Sequence, residues 1–101
     1  MTANELKRVT EKYLNARGWK VWRTNAGYSG RYNVKLSPSG TADIIGYDTY
    51  GYFAGIEIKI GTDRLRPSQI EWLKKLNETE YGYGVIITCV DDVIQLEKER
   101  R

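Results

Sequence analysis

Two hydrophobic rhythms alternate along this chain, one recurring at every third or fourth residue and one at every second, and their order predicts its elements. Residues 3–17 carry Leu6, Val9, Tyr13 and Ala16 at helical spacing, which predicts an amphipathic helix that Gly18 would stop. Trp19 to Asn25 reads as a strand, and the stretch from about 26 to 39, rich in Gly, Ser, Asn and Pro, reads as a loop. Further strands are expected at about 40–47 and 52–60, joined by a tight turn within Asp48-Thr49-Tyr50-Gly51-Tyr52. Residues 61–66 form a basic connection to a second helix beginning at Pro67 or Ser68, with Ser68 and Glu71 at capping-box spacing. Its inner stripe is Gln69, Trp72, Leu73 and Leu76, with Lys74 and Lys75 outward. A buried strand is expected at 84–90. After it, Asp91 or Asp92 either caps a last helical segment or precedes a frayed tail.

The resulting order is α-β-β-β-α-β. The third strand, second helix and fourth strand make a crossover that is expected to be right-handed and to leave those strands parallel. The apolar fourth strand belongs beside the central ones. The predicted fold class is therefore α/β, a mixed four-stranded sheet flanked by helices.

The hairpin carries the candidate chemistry. If it folds about Tyr50, residues paired across it have numbers that sum to about 100, which sets Asp43 beside Glu57. Side chains alternate along a strand, so Glu57 and Lys59 share one face while Ile56, Ile58 and Ile60 take the other. Two carboxylates and one ammonium thus converge on one patch of sheet. The plainer reading is a solvated face with a weak Glu57–Lys59 ion pair, worth ~0–1 kcal/mol. Asp43 across the hairpin argues against it, because neighbouring acids repel unless a cation or a proton sits between them. Mg²⁺ or Mn²⁺ is the economical cation, since hard ions prefer oxygen ligands.

Composition narrows the remaining chemistry. At 101 residues with 41% apolar content, the chain reads as a single globular domain spanning 1–101. No apolar run approaches the ~20 residues of a membrane span, and no charged-then-apolar leader opens it, so a soluble, cytoplasmic protein is expected. The absence of histidine removes imidazole metal sites and the Ser-His-Asp triad. A single cysteine, Cys89, excludes an intrachain disulfide and a cysteine-based zinc site; ending the run from Val85 to Val90, it is expected to be buried. The net charge of +3 is unevenly placed. Lys20, Arg23, Arg31 and Lys35 are interleaved with Trp22, Tyr28 and Tyr32, and no acid interrupts them. Such a stretch suits a phosphate backbone with bases stacked alongside, or is simply a solvated basic loop.

Several of these residues stand in a familiar order: Glu5 opening the first helix, Arg23-Thr24-Asn25, Gly40-Thr41-Ala42-Asp43, Glu57-Ile58-Lys59, and Gln69 in the second helix. On this topology the set resembles the PD-(D/E)XK nuclease superfamily, with a restriction-endonuclease-like core. Within it the likeness is to the VRR-NUC group and, more distantly, to archaeal Holliday junction resolvases. It runs from Glu5 to about Thr88. No proline precedes Asp43, so the Gly-x-x-Asp form of the VRR-NUC group fits better than the superfamily's name.

The resemblance implies that Asp43 and Glu57 bind a divalent metal, Mg²⁺ or Mn²⁺, with the backbone carbonyl of Ile58 as third ligand. Lys59 would position or help deprotonate the attacking water, and Gln69 would touch the site or the nucleic acid. Glu5 would reach inward to water at the metal, ahead of Glu11; its plainer role is to complement the helix dipole. Arg23 and Asn25 at the mouth of the sheet, Arg31 and Lys35 in the basic stretch, and Arg64 and Arg66 after the Glu-x-Lys strand are the candidate nucleic-acid contacts. Tyr47, Tyr50, Tyr52, Tyr81 and Tyr83 are expected to pack the sheet and its turns. The implied activity is a metal-dependent DNA endonuclease selective for structure, with branched or flapped DNA as substrate and a homodimer as the working form. Its setting would be bacterial or phage-encoded. The alternatives are a non-cleaving nucleic-acid-binding module of the same fold and, more weakly, an RNA substrate.

Overall fold

The computed structural model describes residues 1–24 and 38–101 in full and, between them, the backbone of two short strands at 28–29 and 34–35. Helix α1 spans Ala3–Ala16. Its first turn is closed by a capping box: Glu5 N donates to the Thr2 hydroxyl at 3.1 Å, and Thr2 N donates to Glu5 Oε1 at 2.9 Å. Gly18, at φ +92°, ends it as predicted. The buried stripe differs from the expected one. It is Leu6, Thr10 and Leu14, with Val9 and Tyr13 half-buried and Ala16 exposed. Thr10 reads as polar, yet it occupies the central buried position of an i, i+4, i+8 series, and that rotates the whole face.

Strand β1 is Lys20–Arg23; β2 (Tyr28–Ser29) and β3 (Val34–Lys35) pair as a small antiparallel ribbon within the stretch expected to be loop. Strands β4 (Ile44–Tyr47) and β5 (Phe53–Ile58) are antiparallel, with Ile44 opposite Ile56 and Tyr47 opposite Phe53, the register that a turn about Tyr50 predicts. Asp48 anchors that turn. It is buried, its Oδ1 accepts from Tyr50 N and Tyr52 N, and its Oδ2 accepts from the Tyr83 hydroxyl at 2.8 Å. Of the five tyrosines expected to pack the sheet, Tyr83 is buried; Tyr47, Tyr50, Tyr52 and Tyr81 are exposed, with Tyr52 and Tyr81 meeting edge to face.

Helix α2 (Pro67–Asn77) then crosses to β6 (Gly82–Ile87), which lies parallel to β5, and α3 (Val90–Glu99) follows. The sheet order is β1-β4-β5-β6, a mixed sheet flanked by helices. Strand β6 ends earlier than expected. Thr88 turns the chain by donating both its N–H and its hydroxyl to Asp92 Oδ2, each at 2.9 Å, and a true helix begins. Cys89 therefore becomes the exposed residue preceding α3 rather than a buried strand residue.

The two faces of the sheet are covered differently. Val21, Ile44, Ala54, Ile56, Ile58, Tyr83 and Ile87 form one core with Leu6 and Leu14 of α1 and Val93 and Leu96 of α3. The other face is paved with glycine. A side chain at Gly55 would strike Trp72 and Leu76, and one at Gly84 would strike Leu73, so bare backbone is what lets α2 lie close. The outer edges carry an asparagine each. Asn15 bonds both N and O of Val21 on β1, at 2.8 and 2.9 Å. Asn77 does the same to Gly84 on β6, at 2.9 and 3.1 Å.

Candidate functional site

One step beyond the Ile44–Ile56 pair, the register sets Asp43 opposite Glu57, on the face that α2 covers. The backbone of Asp43 is pinned from β1's end: Thr24 N donates to the Asp43 carbonyl at 2.9 Å, and the Thr24 hydroxyl donates to the Ala42 carbonyl at 2.7 Å. Gly40 seats the same segment on α2. Its φ is +82°, and a Cβ there would collide with the Ser68 carbonyl in the helix's first turn. Thr41 adds a hydroxyl bond to the Pro38 carbonyl at 2.6 Å.

Helix α2 contributes Gln69, and here the capping differs from the expected Ser68–Glu71 box. The helix starts at Pro67, and Gln69 Oε1 accepts from Arg66 N at 2.8 Å. That bond fixes which end of the amide faces the sheet. Gln69 Nε2 consequently donates to Glu57 Oε1 at 3.1 Å, in a fully buried contact. Lys59, on the same face of β5, brings its Nζ to 4.0 Å from that oxygen. The Ile58 N–H donates to Asp43 Oδ2 at 2.8 Å. Within a strand a residue's N–H and C=O point to the same side, so the Ile58 carbonyl also faces the Asp43 edge.

Electrostatics mark Glu57 as the unusual member. The residue is 1% exposed, and its Oε2 is buried with no hydrogen-bond partner. Burial first, then the hydrogen bond that a protonated Glu57 donates to Asp43 and the charge of Asp43, push its carboxyl up to about 8, while Lys59 and Lys7 pull the other way. A proton held between the two acids meets this demand. A divalent ion satisfies the same demand: it fits a buried carboxylate oxygen with nothing else to bind, beside a second carboxylate and a strand carbonyl. Among the described residues no third acid, cysteine or histidine joins the pair. The other coordination positions of a hard cation would fall to water and phosphate oxygens, as Mg²⁺ commonly arranges.

The expected residues sort clearly. Asp43, Glu57, Ile58, Lys59 and Gln69 come together. Glu5 does not join them: its carboxylate is fully exposed, accepts from the Thr2 N–H, and is lowered in pKa by that bond first and by the Thr2 side chain second. It lies about two and a half helical turns before buried Leu14 and so points away from the sheet. Lys7, two turns before Leu14, takes the inward place, with Nζ 3.6 Å from Asp43 Oδ1. Phasing the helix on Leu6 and Leu14 is the sequence signal that finds it. Arg23 is exposed and donates to Asn4 Oδ1 at 2.9 Å; Arg64 and Arg66 are exposed on the connection ahead of α2. Asn25 and Arg31 lie outside the described residues, as does the side chain of Lys35. No family model, curated protein or solved structure matches the chain.

Proposed function

We propose that this protein is a metal-dependent endonuclease that hydrolyses phosphodiesters in structured DNA, built on a restriction-endonuclease-like core of the VRR-NUC kind. The observation that carries the reading is the buried, partnerless Glu57 Oε2 facing Asp43 across the hairpin, with the Lys59 ammonium alongside. Asp43, Glu57 and the Ile58 carbonyl would hold Mg²⁺ or Mn²⁺. When bound, the ion supplies Lewis-acid polarisation of the phosphate and lowers the pKa of water.

The chain's own groups do the rest. Gln69, locked by Arg66 N–H, occupies Glu57 Oε1 and leaves Oε2 as the open oxygen. Lys59 sets its ammonium where it steadies a hydroxide-like nucleophile and the negative charge that grows on the phosphate as the new phosphorus–oxygen bond forms. Departure of the 3′-oxygen then leaves a 5′-phosphate. Arg64 and Arg66, exposed beside α2's first turn, suit backbone phosphates. So small a domain has little surface for reading bases, which favours recognition of branched or flapped shapes. A homodimer would set two such sites on the two strands of a junction.

The test is incubation with a labelled four-way junction, beside flapped, single-stranded and plain duplex DNA and an RNA counterpart, in Mg²⁺, Mn²⁺ or EDTA. Nicking that needs metal and drops at least 100-fold in Asp43→Ala and Lys59→Ala is the expected outcome. Salt-sensitive binding with no product in any metal would instead identify a non-cleaving binding module.

A further inference from the structure

Lys7 has no part in the reaction just described, yet its ammonium lies 3.6 Å from Asp43 Oδ1 and bears on Glu57 as well. Two carboxylates are thus flanked by two ammoniums, and the group is close to neutral when both acids are ionised. A divalent cation added to this arrangement leaves a surplus of positive charge. One ammonium must then move or find a new anion.

The two lysines are not equally free to do so. Lys59 is rooted at the end of β5, with its N–H bonded to the Ile87 carbonyl and its side chain 18% exposed. Lys7 reaches the site from a separate element, helix α1, its side chain is somewhat more exposed at 23%, and its partner is the less buried of the two acids. Asp43 Oδ2 is already held by the Ile58 N–H, so Oδ1, the oxygen paired with Lys7, is the one that a metal would take. Cation and lysine want the same atom.

We propose that Lys7 is an exchangeable counter-ion of the metal centre: it neutralises Asp43 while no metal is bound, yields Oδ1 to the divalent ion, and then pairs with a phosphate oxygen of the incoming nucleic acid. This rests on the metal-site reading above and adds to it a coupling between the two ligands. Metal releases the ammonium that the phosphate needs, and phosphate removes the charge that opposes the metal. Each ligand therefore tightens the other's binding by the same factor. Lys7 contacts the substrate phosphate in this scheme without touching the reacting bond, and a flexible stem with a compact charge suits it for the exchange.

Mn²⁺ binding by the DNA-free protein, followed by calorimetry or electron paramagnetic resonance, reads the competition directly. Lys7→Met is expected to bind Mn²⁺ roughly 5- to 10-fold more tightly than the parent, and Lys7→Arg to stay near it. Binding of a fluorescent four-way junction in EDTA and in Ca²⁺ reads the coupling. Ca²⁺ should tighten the parent's binding several-fold and that of Lys7→Met distinctly less. Should Lys7→Met melt before the titration temperature, Lys7→Gln carries the same expectations. If Lys7 merely braces Asp43, its removal weakens Mn²⁺ binding, and the proposal fails while the metal site stands. If neither parent nor variant binds Mn²⁺, the metal-site reading falls and the exchange falls with it.

Discussion

Glu57 is the residue on which solution conditions act most directly. Its carboxyl is raised from 4.5 to about 8 by burial and by Asp43. Between those values the folded protein keeps a proton that the unfolded chain has released. The metal-free fold therefore has the full contribution of this group below about pH 4.5 and loses it as pH rises to about 8. Urea denaturation in EDTA should show stability declining across that window by on the order of a few kcal/mol, and Glu57→Gln should flatten the slope. An equal slope in both proteins would contradict the assignment. Mn²⁺ should act in the opposite sense, stabilising the parent more at pH 8 than at pH 5 because it competes with the proton, and should do little for Glu57→Gln. Asp43, Glu57, Lys59 and Gln69 were all legible in the sequence, three of them through a two-residue alternation that admits few alternatives. Lys7 was not. A helix face is set by its phase, and one buried threonine was enough to turn Glu5 inward on paper and Lys7 inward in the molecule.

At the level of elements, the strands and their register followed from alternation and turn chemistry, because a slip of one residue would send every isoleucine of β5 to the wrong side. What escaped was the end of β6, where Val85 to Val90 reads as one apolar run. The Thr88–Asp92 exchange that breaks it is a local competition between side chain and backbone, invisible to hydrophobicity. Glycines tell a similar story, since only tertiary contact separates those that merely turn the chain from those that seat the site. Gly40 and Gly51 both adopt positive φ, at +82° and +86°, but Gly51 faces open space whereas Gly40 abuts α2. Gly51→Ala should cost only the backbone term, about 1–2 kcal/mol. Gly40→Ala should cost more, about 3 kcal/mol with the steric clash added, and should also weaken Mn²⁺ binding. Paired thermal melts and Mn²⁺ titrations check this; equal losses would mean that the Gly40–Ser68 contact does not hold the site together.

For the whole molecule, the consequence lies at the sheet's two borders. A strand at the margin of a sheet offers its unsatisfied amides to any passing chain, which is how copies of a protein zip together. Here Asn15 and Asn77 each imitate one residue of a missing neighbour strand, so Val21 and Gly84 have nothing left to offer. Asn77→Ala should unlock the β6 side and yield concentration-dependent association by light scattering or sedimentation, with the parent unchanged over the same range; a variant no stickier than the parent would show the amide to be decorative. A twin that lengthened the sheet across either border would first have to displace an asparagine. On the proposed reading, a two-fold partnership on a DNA junction is then favoured flank to flank rather than border to border.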